Sequence, residues 1–101
     1  MSRREQLQAM LADSPDDIFL QYALAIEWQN EDEHDKSLDI HQTLMNGNPP
    51  YVPSFFMAGQ QLTDLDRIDE AKEILEAGIE QADAQGNLHA AGEMRGFLAT
   101  L

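Results

Sequence analysis

The sequence predicts an all-α chain of about six helices joined as antiparallel pairs. Three observations carry this: helix-start punctuation recurs along the whole chain, apolar and small residues recur at an offset of 34, and no β-hairpin signal competes. With 101 residues, 43% of them hydrophobic, there is room for one core and no second, so a single domain over 1–101 is expected.

Each element has its own signal. Ser2 followed by Glu5 is a capping box and opens a helix near 2–12. Ser14-Pro15-Asp16-Asp17 opens the next, near 16–30, with Pro15 expected at the first helical position, where its missing donor is harmless. Asp32 with Asp35 predicts a start for 34–46, Asn48 before Pro49-Pro50 one for 52–64, Asp66 with Asp69 one for 67–83, and Asn87 after Gly86 one for 88–100. Apolar spacing agrees, because Leu24, Ala25 and Trp28 share a face, as do Ile40, Leu44 and Met45, then Phe55, Gly59 and Leu62, then Ala71, Leu75 and Ile79, then Ala91, Met94, Leu98 and Leu101. Helices this short need neighbours to bury their stripes, and the short joints make sequential helices antiparallel.

The repeat is legible by position. Pro15 and Pro49 are 34 residues apart, and the same offset takes Ile18 to Val52, Ala25 to Gly59, Trp28 to Leu62, Asp32 to Asp66, Asp35 to Asp69, Ser37 to Ala71 and Ile40 to Ile74. Small residues at 25, 59, 37 and 71 suit close helix crossings, with Trp28, Leu62 and Leu75 filling the space beside them, so Trp28 is expected to be largely buried. A period of this length spans one helix pair, and the pattern resembles the tetratricopeptide repeat. Leu24-Ala25, Trp28, Ser37 and Pro49 carry the resemblance in a first unit, 15–48, and Phe55, Ala58-Gly59, Leu62, Ala71 and Leu75 in a second, 49–85. Gln21 and His41 stand where large apolar residues are usual, and Asp83 replaces the closing proline. Residues 1–14 resemble the second half of a preceding unit, and 86–101 the first half of a following one serving as a capping helix, with Leu88, Ala91-Gly92 and Arg95 displaced by 33 from Phe55, Ala58-Gly59 and Leu62.

The resemblance implies a short right-handed superhelix whose concave wall, formed by the first helix of each pair, holds a peptide or protein segment. On that wall it implies Phe19, Tyr22 and Ile26 from the first pair, Pro53, Phe56 and Gln60 from the second, and His89 and Glu93 from the capping helix. Tyr22, Phe56 and His89 would form a ladder of rings suited to apolar, aromatic or cationic side chains. Phe19, Tyr22 and Ile26 also lie opposite the stripe of Leu24, Ala25 and Trp28, and an apolar strip so placed marks an interface. Family members that clamp a terminal carboxylate use cationic and amide side chains on this wall, whereas Tyr22, Ile26, Phe56 and Gln60 stand here. The expected function is therefore an interaction module for a partner that is apolar or basic, with homodimerisation through the same strip as the alternative.

Composition narrows the remaining classes. Nineteen acids against six cations give a net charge of -13, which repels nucleic acid and anionic membrane surfaces. That acidity fits either a salt-rich environment or a cationic partner. There is no cysteine, hence no disulfide or thiolate metal site, and no apolar run of membrane-spanning length. The polar start predicts a cytoplasmic protein. No phosphate-binding, nucleophile-elbow or zinc-protease motif is present, so neither an enzyme nor a cofactor is expected. His34 and His41, seven apart, could approach a divalent ion, but His41 falls on a core position; Asp64, Asp66 and Asp69 lack a calcium loop's spacing and glycine. No metal is expected.

Overall fold

Six α-helices and no strand make up the computed structural model, which describes Met1–Leu101: α1 (Arg3–Asp13), α2 (Ile18–Asn30), α3 (His34–Met45), α4 (Val52–Asp64), α5 (Ile68–Ala84) and α6 (Leu88–Leu98). Three starts rest on side-chain caps. The Ser2 hydroxyl accepts from the Glu5 N–H at 3.1 Å and the Glu5 carboxylate accepts from the Ser2 N–H at 3.2 Å, so the predicted capping box forms. These bonds from Ser2 hold the Glu5 carboxyl below its ordinary pKa. Asn87 caps α6 by accepting from the Ala90 N–H at 3.2 Å. The start of α2 lies two residues later than expected, because Asp17, not Ser14, is its cap and accepts from the Leu20 N–H at 3.1 Å. Pro15 is consequently outside the helix, in the turn, where its carbonyl accepts from the Gln21 side-chain amide at 2.8 Å.

Asp32 and Asp66 do not act as the helix starts that the sequence predicts; they end the preceding helices. Both adopt positive φ, 61° and 59°, and Gly86 does the same at 75°. After α2, the Glu33 N–H donates to the Trp28 carbonyl at 2.8 Å and the Asp32 N–H to the Gln29 carbonyl at 3.0 Å. The same two bonds recur after α4, from Arg67 to Leu62 and from Asp66 to Thr63, and after α5, from Asn87 to Ala82 and from Gly86 to Asp83. This is the Schellman closure, which satisfies the last carbonyls and reverses the chain within a few residues. Aspartate tolerates the left-handed region better than most residues, so a 34-residue repeat of Asp marks a repeated reversal.

The chain divides into two compact units, Met1–Leu44 and Met45–Leu101. In the first, α1 packs on α2, and Leu7, Leu24, Ala25, Ser37 and His41 are buried. Ser37 is small for a reason beyond packing, since its buried hydroxyl donates to the Ala25 carbonyl at 2.6 Å and ties α3 to α2. Trp28 is half-buried rather than enclosed. What reaches it from α1 and α3 is cationic: the Arg4 guanidinium carbon lies 4.8 Å and the Lys36 ammonium 4.4 Å from the ring centroid. Such side chains lay their charge over an aromatic face while keeping their heads in water, so the ring keeps a wet side. Arg4 is held there by the Glu31 carboxylate at 2.9 Å and the Gln8 amide oxygen at 3.0 Å.

In the second unit α5 packs against both α4 and α6, which also touch each other. Phe55, Ala58, Leu62, Ala71, Leu75, Ala82, Ala91 and Met94 form its core. The crossings are close. A Cβ added at Gly59 would lie 2.6 Å from Leu75 Cδ2, and one at Gly78 would lie 2.5 Å from Phe55 Cβ and 2.7 Å from Met94 Sδ. The Gln85 side chain donates to the Pro50 carbonyl at 2.8 Å and fastens the end of α5 to the entry of α4.

Candidate functional site

In the first unit, the Asp17 cap places Phe19 in the opening turn of α2, with Tyr22 and Ile26 following at helical spacing along one stripe. Phe19 is 76% exposed, while Tyr22 and Ile26 are half-buried. The Tyr22 ring meets the His41 ring of α3 edge-on, with centroids 5.7 Å apart and planes at 67°. Burial pushes the His41 pKa down to about 4, so at neutral pH Tyr22 rests on an uncharged imidazole.

In the second unit, Phe56 and Gln60 of α4 are half-buried and Pro53 is exposed. Phe56 meets Phe97 of α6 edge-on, at 5.8 Å and 63°. On α6, His89 and Glu93 are exposed and face each other one turn apart, Nε2 to Oε1 at 3.1 Å. Phe97 escapes the sequence-based expectation although its signal is there: it follows His89 and Glu93 at the next i+4 step. Within each unit one ring is braced by a second, Tyr22 by His41 and Phe56 by Phe97.

An apolar cleft of about 300 Å³ in the first unit is lined by Leu11, Pro15, Gln21, Leu24, Ile40 and Thr43. It holds no ionisable group, and its hydroxyl, on Thr43, donates to the Asp39 carbonyl. His41 is buried under Tyr22 while the His34 ring lies 3.8 Å from Asp32, so the two histidines have separate surroundings. No three histidine, aspartate or glutamate side chains gather as metal ligands, and no helix is long and apolar enough to cross a membrane.

Comparison with solved structures identifies the architecture. The solution structure of a tetratricopeptide repeat domain protein from Salinibacter ruber is 30% identical, with a TM-score of 0.79 over 85% of this chain and 87% of that one. The chain belongs to the tetratricopeptide repeat family. A crystal structure of a tetratricopeptide repeat domain protein from the same organism agrees, at 29% identity and a TM-score of 0.74 over 84% of this chain and 94% of that one. A Bordetella parapertussis protein at 23% identity shares the fold, with a TM-score of 0.82 over 99% of this chain and 87% of that one. No family model and no curated protein matches the sequence. The Tyr22–His41 contact joins α2 to α3, and Ser37 of α3 and Ala71 of α5 are small, fully buried residues.

Proposed function

We propose that this tetratricopeptide protein is a protein–protein interaction module that binds protein segments on its first-helix surfaces: Phe19, Tyr22 and Ile26 on α2 in one unit, and Phe56, Gln60, His89 and Glu93 on α4 and α6 in the other. The observation that carries the reading is Phe19, a large aromatic side chain left 76% exposed on the stripe that Tyr22 and Ile26 continue. Aromatic anchors of this kind tend to dominate binding energy. The acidic surface favours a partner with lysine or arginine beside an apolar residue, and steers it by long-range attraction that salt weakens. The module acts in the cytoplasm and by binding, not catalysis.

The test is capture of partners by the wild-type chain, followed by calorimetry on the captured segment. Phe19→Ala, and Tyr22→Ala with Phe56→Ala, are expected to weaken binding by at least ~2 kcal/mol while leaving the helical spectrum intact. Unchanged affinity in these variants, or a free protein that sediments as a dimer held by Phe19, would overturn the assignment.

A further inference from the structure

Four asparagines stand in the chain, and they differ in what decides whether an asparagine can modify itself. The reaction needs the backbone nitrogen of the next residue to reach the side-chain carbonyl carbon. That nitrogen must carry a hydrogen, be released from hydrogen bonding and meet little steric resistance. Asn30 ends α2, and the nitrogen after it, on Glu31, is committed to the Glu27 and Trp28 carbonyls at 3.1 and 3.2 Å. Asn48 precedes Pro49, whose nitrogen has no hydrogen. Asn87 is locked as the cap of α6, its side-chain oxygen accepting from the Ala90 N–H at 3.2 Å, and bulky Leu88 follows it.

Asn46 is placed differently. It lies one residue beyond the end of α3, in the joint that leads to α4, and both it and Gly47 are exposed. Glycine has no Cβ, so the backbone turns through conformations closed to other residues and no side chain shields the nitrogen. The other glycine that follows an amide side chain shows the contrast. There Gln85 donates its amide to the Pro50 carbonyl at 2.8 Å, and the Gly86 N–H is held by the Asp83 carbonyl at 3.1 Å.

We propose that Asn46 is a site of spontaneous deamidation. The Gly47 nitrogen bonds to Cγ of Asn46, the bond from Cγ to Nδ2 breaks, and ammonia leaves with the proton that the Gly47 nitrogen gives up. Water then opens the five-membered imide at either carbonyl. Opening at Cγ restores the main chain as aspartate, whereas opening at the Asn46 backbone carbonyl leaves the chain running through Cβ and Cγ as isoaspartate. In both products a carboxylate replaces an amide, adding a negative charge to a chain already at -13. It does so at the C-terminal end of α3, where the helix dipole is negative and the last turn holds no basic residue, so the product loosens that helix end.

The test holds the full chain at physiological temperature in neutral buffer and digests samples at intervals for mass spectrometry. The peptide containing Asn46 is expected to gain one mass unit and to divide into two species. The isoaspartyl species should accept a methyl group from S-adenosylmethionine in the presence of an isoaspartyl carboxyl methyltransferase. Fragmentation should place the gain on Asn46 and leave Asn30, Asn48 and Asn87 unchanged. Gly47→Ala should slow the change severalfold and Asn46→Gln should stop it over the same period, both with the wild-type helical spectrum. Asn46→Asp, which installs the aspartyl product directly, should melt below the wild type. The site is overturned by a folded chain that stays intact while a synthetic peptide of Leu44–Tyr51 deamidates, by a gain that appears first at Asn30 or Asn87, or by Gly47→Ala reacting as fast as the wild type. An Asn46→Asp chain that melts at or above the wild type overturns the loosening of α3.

Discussion

His41 shows how one departure from a repeat pattern becomes a measurable property. It occupies a core position where the family uses a large apolar residue, and burial lowers its pKa from 6.5 to about 4. The unfolded chain therefore binds a proton that the folded one refuses, and stability falls as pH drops from about 6.5 towards 4. Between pH 7 and pH 5 this single group should remove about 2 kcal/mol. His41→Leu should abolish that increment, so that urea titrations of the two proteins diverge at pH 5; parallel pH slopes would refute the assignment. The sequence marked this position as unusual but not its consequence, because a lowered pKa depends on enclosure by α2. For Trp28 the repeat position predicts a largely buried ring, and the ring is covered in part; that cationic side chains, Arg4 and Lys36, lie over it is not encoded in local spacing.

At the scale of elements, helix ends separate what sequence could and could not say. Ser2, Glu5 and Asn87 act within their own turns, so their roles are local and legible. Asp32 and Asp66 were ambiguous because one residue type serves both as an N-cap and as a left-handed terminator, and the choice follows from the carbonyls the preceding helix leaves open. Since left-handed backbone is strained for any residue with a Cβ, Asp32→Gly and Asp66→Gly should each raise stability by about 0.5–1 kcal/mol in denaturant melts. A loss would show that their side chains contribute more than the backbone strain removes. Helix crossings give the opposite case. Gly78→Ala should destabilise by about 2–3 kcal/mol, because the new methyl meets the Cβ of Phe55, which cannot move without α4. Gly59→Ala meets the tip of the Leu75 side chain, which can turn aside, and should be milder. Equal losses in calorimetry would mean that Leu75 is as fixed as Phe55.

For the molecule as a whole, charge outweighs ion pairing. The pairs of Arg4 with Glu31, Arg67 with Glu70 and Arg95 with Asp83 are exposed, and such pairs contribute at most about 1 kcal/mol each. Self-repulsion from a net charge of -13 acts over the entire surface, so screening should gain more than it loses. The melting temperature should rise between low-salt buffer and molar sodium chloride, and a fall would show that the pairs dominate. Helix number and core face were legible because they follow from periodic spacing, and the same spacing set Phe19, Tyr22, Ile26 and Phe56 apart as an expected stripe. Which of them are braced by second rings, as Tyr22 and Phe56 are, depends on contacts from other helices that the stripe does not contain. Trp28 also has an optical consequence. It is the one tryptophan of the chain and lies in Met1–Leu44 under two cations, so indole emission reports the first unit alone, while ellipticity at 222 nm sums over all six helices. Coincident denaturation curves from the two signals would mark Met1–Leu101 as one cooperative body, and an earlier emission change would mark the first unit as the one that opens first.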